Sequence, residues 1–273
     1  MTASSHPVDI SILVPVMNEA GNVRPLIDEI CSVFAGRQFE IIYIDDASND
    51  ATADELAAAL IVVPQLRVLR HAHRAGQSAA IWSGLLRASG NLIGVLDGDG
   101  QNVPADFPAL EAAMIAASKD GRMVMAAGIR QLRDDSPMRL VASRAAKRVR
   151  ASLLADTHPD SGCGIKLLPR ALFLPLPFFN HMHRFMPSLV RRNGGIVLGV
   201  PVAHRPRIAG TSKYQILDRL LVGISDVLGV MWLLRRAPMQ GAIEEIIAVG
   251  RAPKRASGKK ASGKTQPAKG NAR

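Results

Sequence analysis

The stretch Leu92–Asp106, LIGVLDGDGQNVPAD, decides how the chain reads. Leu92, Ile93, Val95 and Leu96 form a short apolar run with the length and residue types of a buried strand. The run ends abruptly in Asp97-Gly98-Asp99-Gly100-Gln101. Two carboxylates at one strand end repel each other unless something cationic lies between them. A hard divalent ion suits that position, because Mg²⁺ takes carboxylate oxygens and completes its shell with water and substrate phosphates. Gly98 and Gly100 allow backbone angles closed to other residues and let a ligand come near. An ordinary Asp/Gly turn uses the same letters, so the flanking sequence has to separate the two readings.

Toward the N-terminus, strand and helix patterns alternate. Ile10–Val16 reads as a strand, then Val23, Leu26, Ile27, Ile30, Val33 and Phe34 recur at helical spacing. Glu40–Ile44 is apolar and β-rich and runs into Asp45-Asp46; Asp50 or Thr52 can cap a short helix through Leu60. Leu66–Leu69 is a third strand, Gln77–Ala88 a helix, Leu92–Leu96 a strand, Pro104–Ala117 a helix and Met123–Ala127 a strand. Such alternation predicts an α/β fold, a mostly parallel sheet with helices on both faces. In these sheets ligands bind beyond the carboxyl ends of the strands. Asn18-Glu19, Asp45-Asp46 and Asp97/Asp99 all follow strands at the same end, which favours a site over a turn.

The chain has 273 residues, enough for one large domain or two small ones, and 48% are hydrophobic. Cys31 and Cys163 are far apart, which argues against a disulfide framework or a cysteine metal site and fits a reducing compartment. Residues 1–9 are expected to be a polar extension without the pattern of a signal peptide. No run approaches the ~18 apolar residues of a spanning helix. The net charge is +11, but eight of the basic residues lie in 251–273, a segment without acids; outside it 26 Lys/Arg face 23 Asp/Glu. This Ala/Gly/Ser/Lys/Pro segment is expected to be disordered, either a plain solubilising tail or an electrostatic contact to anionic lipid or nucleic acid.

Two motif matches are discounted. Gly258 to Thr265 has the letters of a P-loop, but low-complexity sequence flanks it where a strand and a helix are needed. His71-x-His73 and His181-x-His183 lack the further ligands that a zinc site needs.

An ordered set of motifs is more specific: ILVPVMNEAGNV (12–23), IDDASND (44–50), HRAGQSAAIWSGLLRASGNLIGVLDGDGQNVPAD (73–106), GIRQLRDD (128–135), DSGCGIKLL (160–168), MHRF (182–185) and PRIAGTSKY (206–214). From about Ile10 to Pro238 the chain resembles family 2 glycosyltransferases of the dolichyl/polyprenyl-phosphate sugar transferase group. The resemblance implies a Rossmann-like fold of the glycosyltransferase A type. It implies transfer of one sugar from a nucleotide-sugar donor, GDP-mannose or a UDP-hexose, to a polyprenyl or dolichyl phosphate, with a divalent cation (Mg or Mn) and inversion at the sugar carbon.

The resemblance also implies site residues. Pro15, Asn18, Glu19, Ile44, Asp45, Asp46, Gly76, Gln77, Gly98 and Arg130 would hold the nucleotide sugar. Asp97, Asp99 and Gln101 fall on the metal and diphosphate positions. Asp99, Asp160, Arg207 and Lys213 would serve the reaction: Asp160 by positioning, Arg207 and Lys213 by holding phosphate on a loop that Gly210 lets close. A lipid phosphate acceptor is already anionic near neutral pH, so no general base is required of the protein. The QxxRW signature of the processive polysaccharide synthases is absent. Rival readings are a same-fold transferase with another acceptor in cell-envelope glycan synthesis and a non-catalytic nucleotide-sugar or lipid-binding protein.

The expected organisation is an extension (1–9), a catalytic domain (10–210), an amphipathic helix (211–238) and a basic tail (239–273). Ile216, Leu217, Leu220, Leu221, Ile224, Val227, Leu228, Met231 and Leu234 give that helix a broad apolar face, suited to the membrane surface or equally to the protein's own core or a sister subunit. The expected setting is peripheral, at the cytoplasmic face of the cell membrane, on an anionic surface. An integral membrane partner or a homodimer is an open alternative as the anchor, and no specific nucleic acid is expected.

Overall fold

The computed structural model describes residues 8–118, 121–131, 153–154, 158–206 and 216–236. Seven strands form one sheet: β1 (Ile10–Val16), β2 (Phe39–Asp45), β3 (Leu66–Arg70), β4 (Leu92–Val95), β5 (Val124–Arg130), β6 (Lys166–Pro169) and β7 (Ile196–Val202). Their order is β3-β2-β1-β4-β6-β5-β7. All neighbouring pairs are parallel except those of β6, which runs antiparallel between β4 and β5.

The helices α1 (Val23–Val33), α2 (Thr52–Val62), α3 (Gln77–Arg87) and α4 (Phe107–Ala117) occupy the connections that the periodicity predicts. Two apolar layers follow from the alternation of side chains along the strands. Ile12, Val14, Ile41, Tyr43, Leu167 and Ala126 join Ile27 of α1, Leu56 of α2 and Leu110 of α4 on one face. Leu13, Ile42, Ile44, Val95, Leu168 and Ala127 join Ile81 and Leu85 of α3 and Met186 and Leu189 of the helix Met186–Arg192 on the other. Gly84 brings α3 against β2, since a Cβ there would lie 2.8 Å from Ile44 Cδ1.

The sequence pattern ends β5 too early. The strand continues to Arg130 because its pairing with β7 runs to Arg130↔Val202. Strands β6 and β7 have no expected counterpart. β6 contributes only four residues and β7 alternates poorly, with Ile196, Val197 and Leu198 all half-buried and only Val200 and Val202 buried. α2 extends past Leu60 to Val62.

The helix Ile216–Arg235 divides its apolar residues between two surroundings. Val230 is buried, and Val227, Met231, Leu233 and Leu234 pack on the α3 face of the sheet. Ile224, Leu228 and Trp232, spaced four residues apart, are 53%, 51% and 58% exposed. Arg236 lies over the Trp232 ring, 5.0 Å from its centroid. Among the described residues no helix is long and apolar enough to cross a membrane.

Candidate active site

The carboxyl ends of β1, β2 and β4 open onto three loops that hydrogen bonds tie together. After β1 the chain turns through Asn18, which has a positive φ of 56°. Its amide exchanges bonds with Asn49: Nδ2 donates to Asn49 Oδ1 (2.6 Å), and Asn49 N donates to Asn18 Oδ1 (2.9 Å). The main-chain N–H groups of Asn18 and Glu19 donate to Ser48 Oγ (2.9 Å) and Thr52 Oγ1 (2.8 Å). Glu19 also accepts from Asn22 Nδ2 (3.0 Å). These contacts hold the loop after β1 to the one after β2.

Asp45 and Asp46 are both buried. Asp45 Oδ1 accepts from Ser48 N (2.8 Å), and its Oδ2 is 3.2 Å from Arg70 Nε. Asp46 accepts from Ala75 N (2.8 Å) and Gly76 N (2.7 Å) and meets His71 Nδ1 (2.8 Å). His71 Nε2 meets Ser83 Oγ (2.9 Å). Burial by itself would raise the Asp46 carboxyl, but these donors outweigh it and hold the group below its ordinary range. The Asp–His–Ser chain ends on α3 and fixes the loop 71–76; it offers no free nucleophile. Gly76, with φ of 92°, makes the turn into α3, and Gln77 stands at the start of that helix.

Gln77 Nε2 donates to Asp97 Oδ1 (2.7 Å), which joins the third loop to the first two. Asp97 is held on its other side by glycine: a Cβ on Gly164 would lie 2.2 Å from Asp97 Oδ2. Burial pushes the Asp97 carboxyl up; Lys166 opposes this and the nearby Asp99 adds to it. Gly98 is required for packing, since a Cβ there would lie 2.3 Å from Val16 Cγ1, and Gly100 has φ of 71°. Asp99 Oδ1 accepts from Gln101 N (3.2 Å).

Gln101 is bound to the segment after β7. Arg205 N donates to Gln101 O (2.8 Å), and Gln101 Nε2 donates to Arg205 O (3.4 Å), which leaves Oε1 of the amide as the atom for a ligand. Arg205 is itself clamped by Glu29, at 3.0 and 2.7 Å. Asp97, Asp99 and Gln101 thus offer hard oxygen donors of the kind Mg²⁺ and Mn²⁺ take. Among the described residues, no three His, Cys, Asp or Glu side chains converge as a metal cluster. His181 meets Asp226 (2.9 Å) and His183 meets Ser78 (2.8 Å), so the two imidazoles serve different partners.

Arg130 and Asp160 meet across the second half of the site. Arg130 Nε and NH2 donate to the two Asp160 oxygens at 2.7 Å each, a largely buried bidentate pair. Pro15 and Ile44 lie side by side in the strands β1 and β2, and Ile44 is fully buried against α3. A ligand near them would meet main chain at Ile44. Arg207 and Lys213 lie outside the described residues, as does the tail.

Between Asp97, the loop 161–164 and the turn Met182–Arg184 lies a cleft of about 240 Å³. Its wall includes two groups that the motif reading passed over, Lys166 and His183. Burial and the neighbouring Lys166 charge pull the His183 pKa down to about 3, so this imidazole is neutral at physiological pH. The one sequence signal for Lys166 was a lone cation inside the apolar run GIKLL.

The glycosyl transferase family 2 model matches residues 11–173, from β1 through β6. The chain belongs to that family. With it comes the enzyme class: the family consists of glycosyltransferases. Two curated relatives are each 31% identical to this family 2 chain. One is the dodecaprenyl-phosphate galacturonate synthase of Rhizobium johnstonii, aligned over 84% of this chain and 68% of its own length. The other is the undecaprenyl-phosphate 4-deoxy-4-formamido-L-arabinose transferase of Klebsiella pneumoniae, aligned over 76% of this chain and 63% of its own length. The chain therefore spans about two thirds of these relatives. Among solved structures, glucosyl-3-phosphoglycerate synthase of Mycobacterium tuberculosis, in complex with Mg²⁺ and UDP, superposes with a TM-score of 0.61 at 18% identity, covering 85% of this chain and 80% of that one. A second complex of that enzyme, with Mn²⁺, UDP-glucose and phosphoglyceric acid, gives 0.58 at 21% identity. These likenesses establish the glycosyltransferase A type of fold.

Proposed function

We propose that this family 2 transferase moves a single sugar from a nucleotide-sugar donor to a polyprenyl phosphate, aided by a divalent cation. The observation that carries the reading is that both curated relatives, 31% identical over three quarters or more of the chain, are named for sugar transfer to polyprenyl phosphates.

The nucleoside lies across the carboxyl ends of β1 and β2, against the loops of Asn18-Glu19 and Asp45-Asp46 and the Gly76-Gln77 turn. The diphosphate lies at Asp97-Gly98-Asp99-Gly100-Gln101. Asp97, Asp99 and Gln101 would hold the cation, and the Arg205 carbonyl orients the Gln101 amide so that its oxygen is presented. The cation supplies neutralisation of the leaving diphosphate. The chain's own residues do the rest. Gln77 and Gly164 fix the Asp97 carboxylate, a preorganisation that costs nothing at the moment of reaction. Asp160 holds the Arg130 guanidinium beside Gly162 of the loop 161–164 through two of its five N–H donors, and the others would meet phosphate oxygens. An acceptor phosphate oxygen attacks the anomeric carbon as the bond to the diphosphate breaks, with inversion. The nucleophile needs no deprotonation, so neutral His183 is not asked to act as a base.

The exposed stripe Ile224, Leu228 and Trp232, with Arg235 and Arg236 at the helix end, supports a peripheral seat on an anionic bilayer, to which the basic tail 251–273 adds attraction. The test is transfer by the purified full chain from a panel of UDP- and GDP-sugars to undecaprenyl phosphate, with Mn²⁺ and with chelator. Product with one donor and metal supports the reading. Transfer only to a soluble acceptor, or to none, rejects it.

A further inference from the structure

Lys166 is the first residue of β6, a strand paired on both sides: its register partners are Val95 on β4 and Ala127 on β5. It is 4% exposed and projects from the same face as Leu168, toward α3 and the helix Met186–Arg192. An ammonium in such a place carries a large desolvation cost unless it is paired. Yet among the described residues its one hydrogen bond is to the Cys163 carbonyl, and no carboxylate there comes near enough for an ion pair. The nearest acid in effect is Asp97, whose Oδ1 accepts from Gln77 and whose Oδ2 lies in the space that the absent side chain of Gly164 leaves. An ammonium has three donors, so two remain. Lys166 lines the cleft with Asp97, Gly164 and neutral His183. Two other cations stand nearby: Arg130, whose Nε and one terminal nitrogen donate to Asp160, and Arg184, which lines the cleft from the turn Met182–Arg184 but, unlike Lys166, is not buried in the sheet. Burial lowers the Lys166 pKa and the Asp97 charge opposes this, so the cleft holds a buried lysine with spare donors whose charge is only partly offset by the groups around it.

We infer that Lys166 is an oxyanion-binding residue, whose ammonium takes a carboxylate or phosphate oxygen of a substrate bound in the cleft. This inference rests on the proposed function for the setting of the cleft. Two substrates carry that chemistry: a donor whose sugar is a uronic acid, through its carboxylate, and a lipid acceptor, through its phosphate. An apolar side chain of the same length at this position would pack in β6 without the cost of burying charge.

Calorimetric titration of the full chain with Mn²⁺ tests this, using matched probes that differ only in the anionic group. UDP-glucuronate is compared with UDP-glucose, UDP-galacturonate with UDP-galactose, and citronellyl phosphate with citronellol, for wild type, Lys166→Met and Lys166→Arg. A lost hydrogen bond to a charged group corresponds to about tenfold or more in affinity. Lys166→Met is expected to weaken one anionic probe by about that factor and to leave its neutral counterpart within about twofold, while Lys166→Arg retains part of the affinity. Loss confined to the uronates assigns the anion to the donor sugar; loss confined to citronellyl phosphate assigns it to the acceptor. If Lys166→Met fails to fold, Lys166→Gln takes its place in the comparison. An unchanged ratio of anionic to neutral affinity in a variant with a wild-type melting curve overturns the inference. If the wild type binds none of the UDP-sugars, GDP-mannuronate and GDP-mannose replace them; if it binds neither UDP- nor GDP-sugars the proposed function falls, while the citronellyl phosphate arm still judges Lys166, and binding of none of the anionic probes overturns both.

Discussion

On the β1–β2 side of the candidate site, main-chain N–H groups hold the carboxylates and amides, with Arg70 beside Asp45 and His71 beside Asp46 as added partners. Asp45 accepts from Ser48, Asp46 from Ala75 and Gly76, and Asn18 trades bonds with Asn49. On the β4–β6–β5 side charges are held by charges. Arg130 grips Asp160, Asp97 feels both Lys166 and Asp99, and Lys166 has no fixed counter-ion among the described residues. The first side is a shape set by backbone turns, where a ligand would meet a preformed surface. The second is an electrostatic arrangement whose terms are completed by what binds there. Mutations should therefore act differently on the two sides: loss of charge on the second should lower the rate whether or not it lowers stability, while on the first the main effect should be on loop stability.

The largest contrast is expected from Asp99→Ala. Asp99 stands beyond the end of β4, and in the proposed site it serves the cation rather than the core, so transfer should fall by several orders of magnitude while thermal unfolding stays near wild type. A folded Asp99→Ala protein that keeps near wild-type turnover in chelator would remove the cation from this half of the site.

Next comes the buried ion pair. Arg130→Met leaves the Asp160 charge without its partner, and breaking such a pair costs about 3–5 kcal/mol. The double variant Arg130→Met/Asp160→Leu should recover most of that stability and none of the activity. Urea unfolding of the three proteins measures the coupling; equal stability of the single and double variants would mean that the pair carries little of the fold.

On the main-chain side, Asp46→Asn should cost about 1.5–3 kcal/mol, the worth of hydrogen bonds to a charged group, and loosen the loop 71–76. The dependence on pH has a definite sign. The folded Asp46 pKa lies below its ordinary value of 3.8, so its contribution is fully present above that value and is lost as the pH falls through the folded pKa. Asp46→Asn should thus be less stable than wild type at neutral pH and approach it in acid. A stability gap that does not close below about pH 4 would shift the cause from the carboxylate to packing.

The smallest effect on the fold is expected at the exposed stripe. Leu228→Ser with Trp232→Ser should change stability by about 0.5 kcal/mol or less each, as for surface residues generally, and reduce co-sedimentation with anionic vesicles. Unchanged sedimentation would assign the stripe to another protein surface.

The legibility of the sequence follows the same division. The first four strands and α1–α4 were readable because each strand is followed at once by a helix that buries it, so local periodicity and tertiary packing agree. The strand order β3-β2-β1-β4 joins these units side by side. Strand β6 escaped because four residues carry too little pattern. Its antiparallel place between β4 and β5 depends on partners some 40 and 70 positions away in the chain. The helix Ile216–Arg235 was legible as apolar, yet its composition could not say which residues would find the core. The structure gives Val227, Val230, Met231 and Leu234 to the sheet and leaves Ile224, Leu228 and Trp232 outside.

The sequence alone determined the α/β class, the parallel half of the sheet and the polar strand ends, because these depend on residue type and spacing within single βα units. It also placed Asp97, Asp99 and Gln101 together, since they are neighbours in one turn. Only the tertiary structure decided what each group faces. It set Gln77 on Asp97, clamped Arg130 to Asp160, tied Gln101 to Arg205 and buried Lys166 behind the cleft. Those partners are distant in sequence, and their meeting is fixed by strand order and by glycines such as Gly164 that let two segments touch.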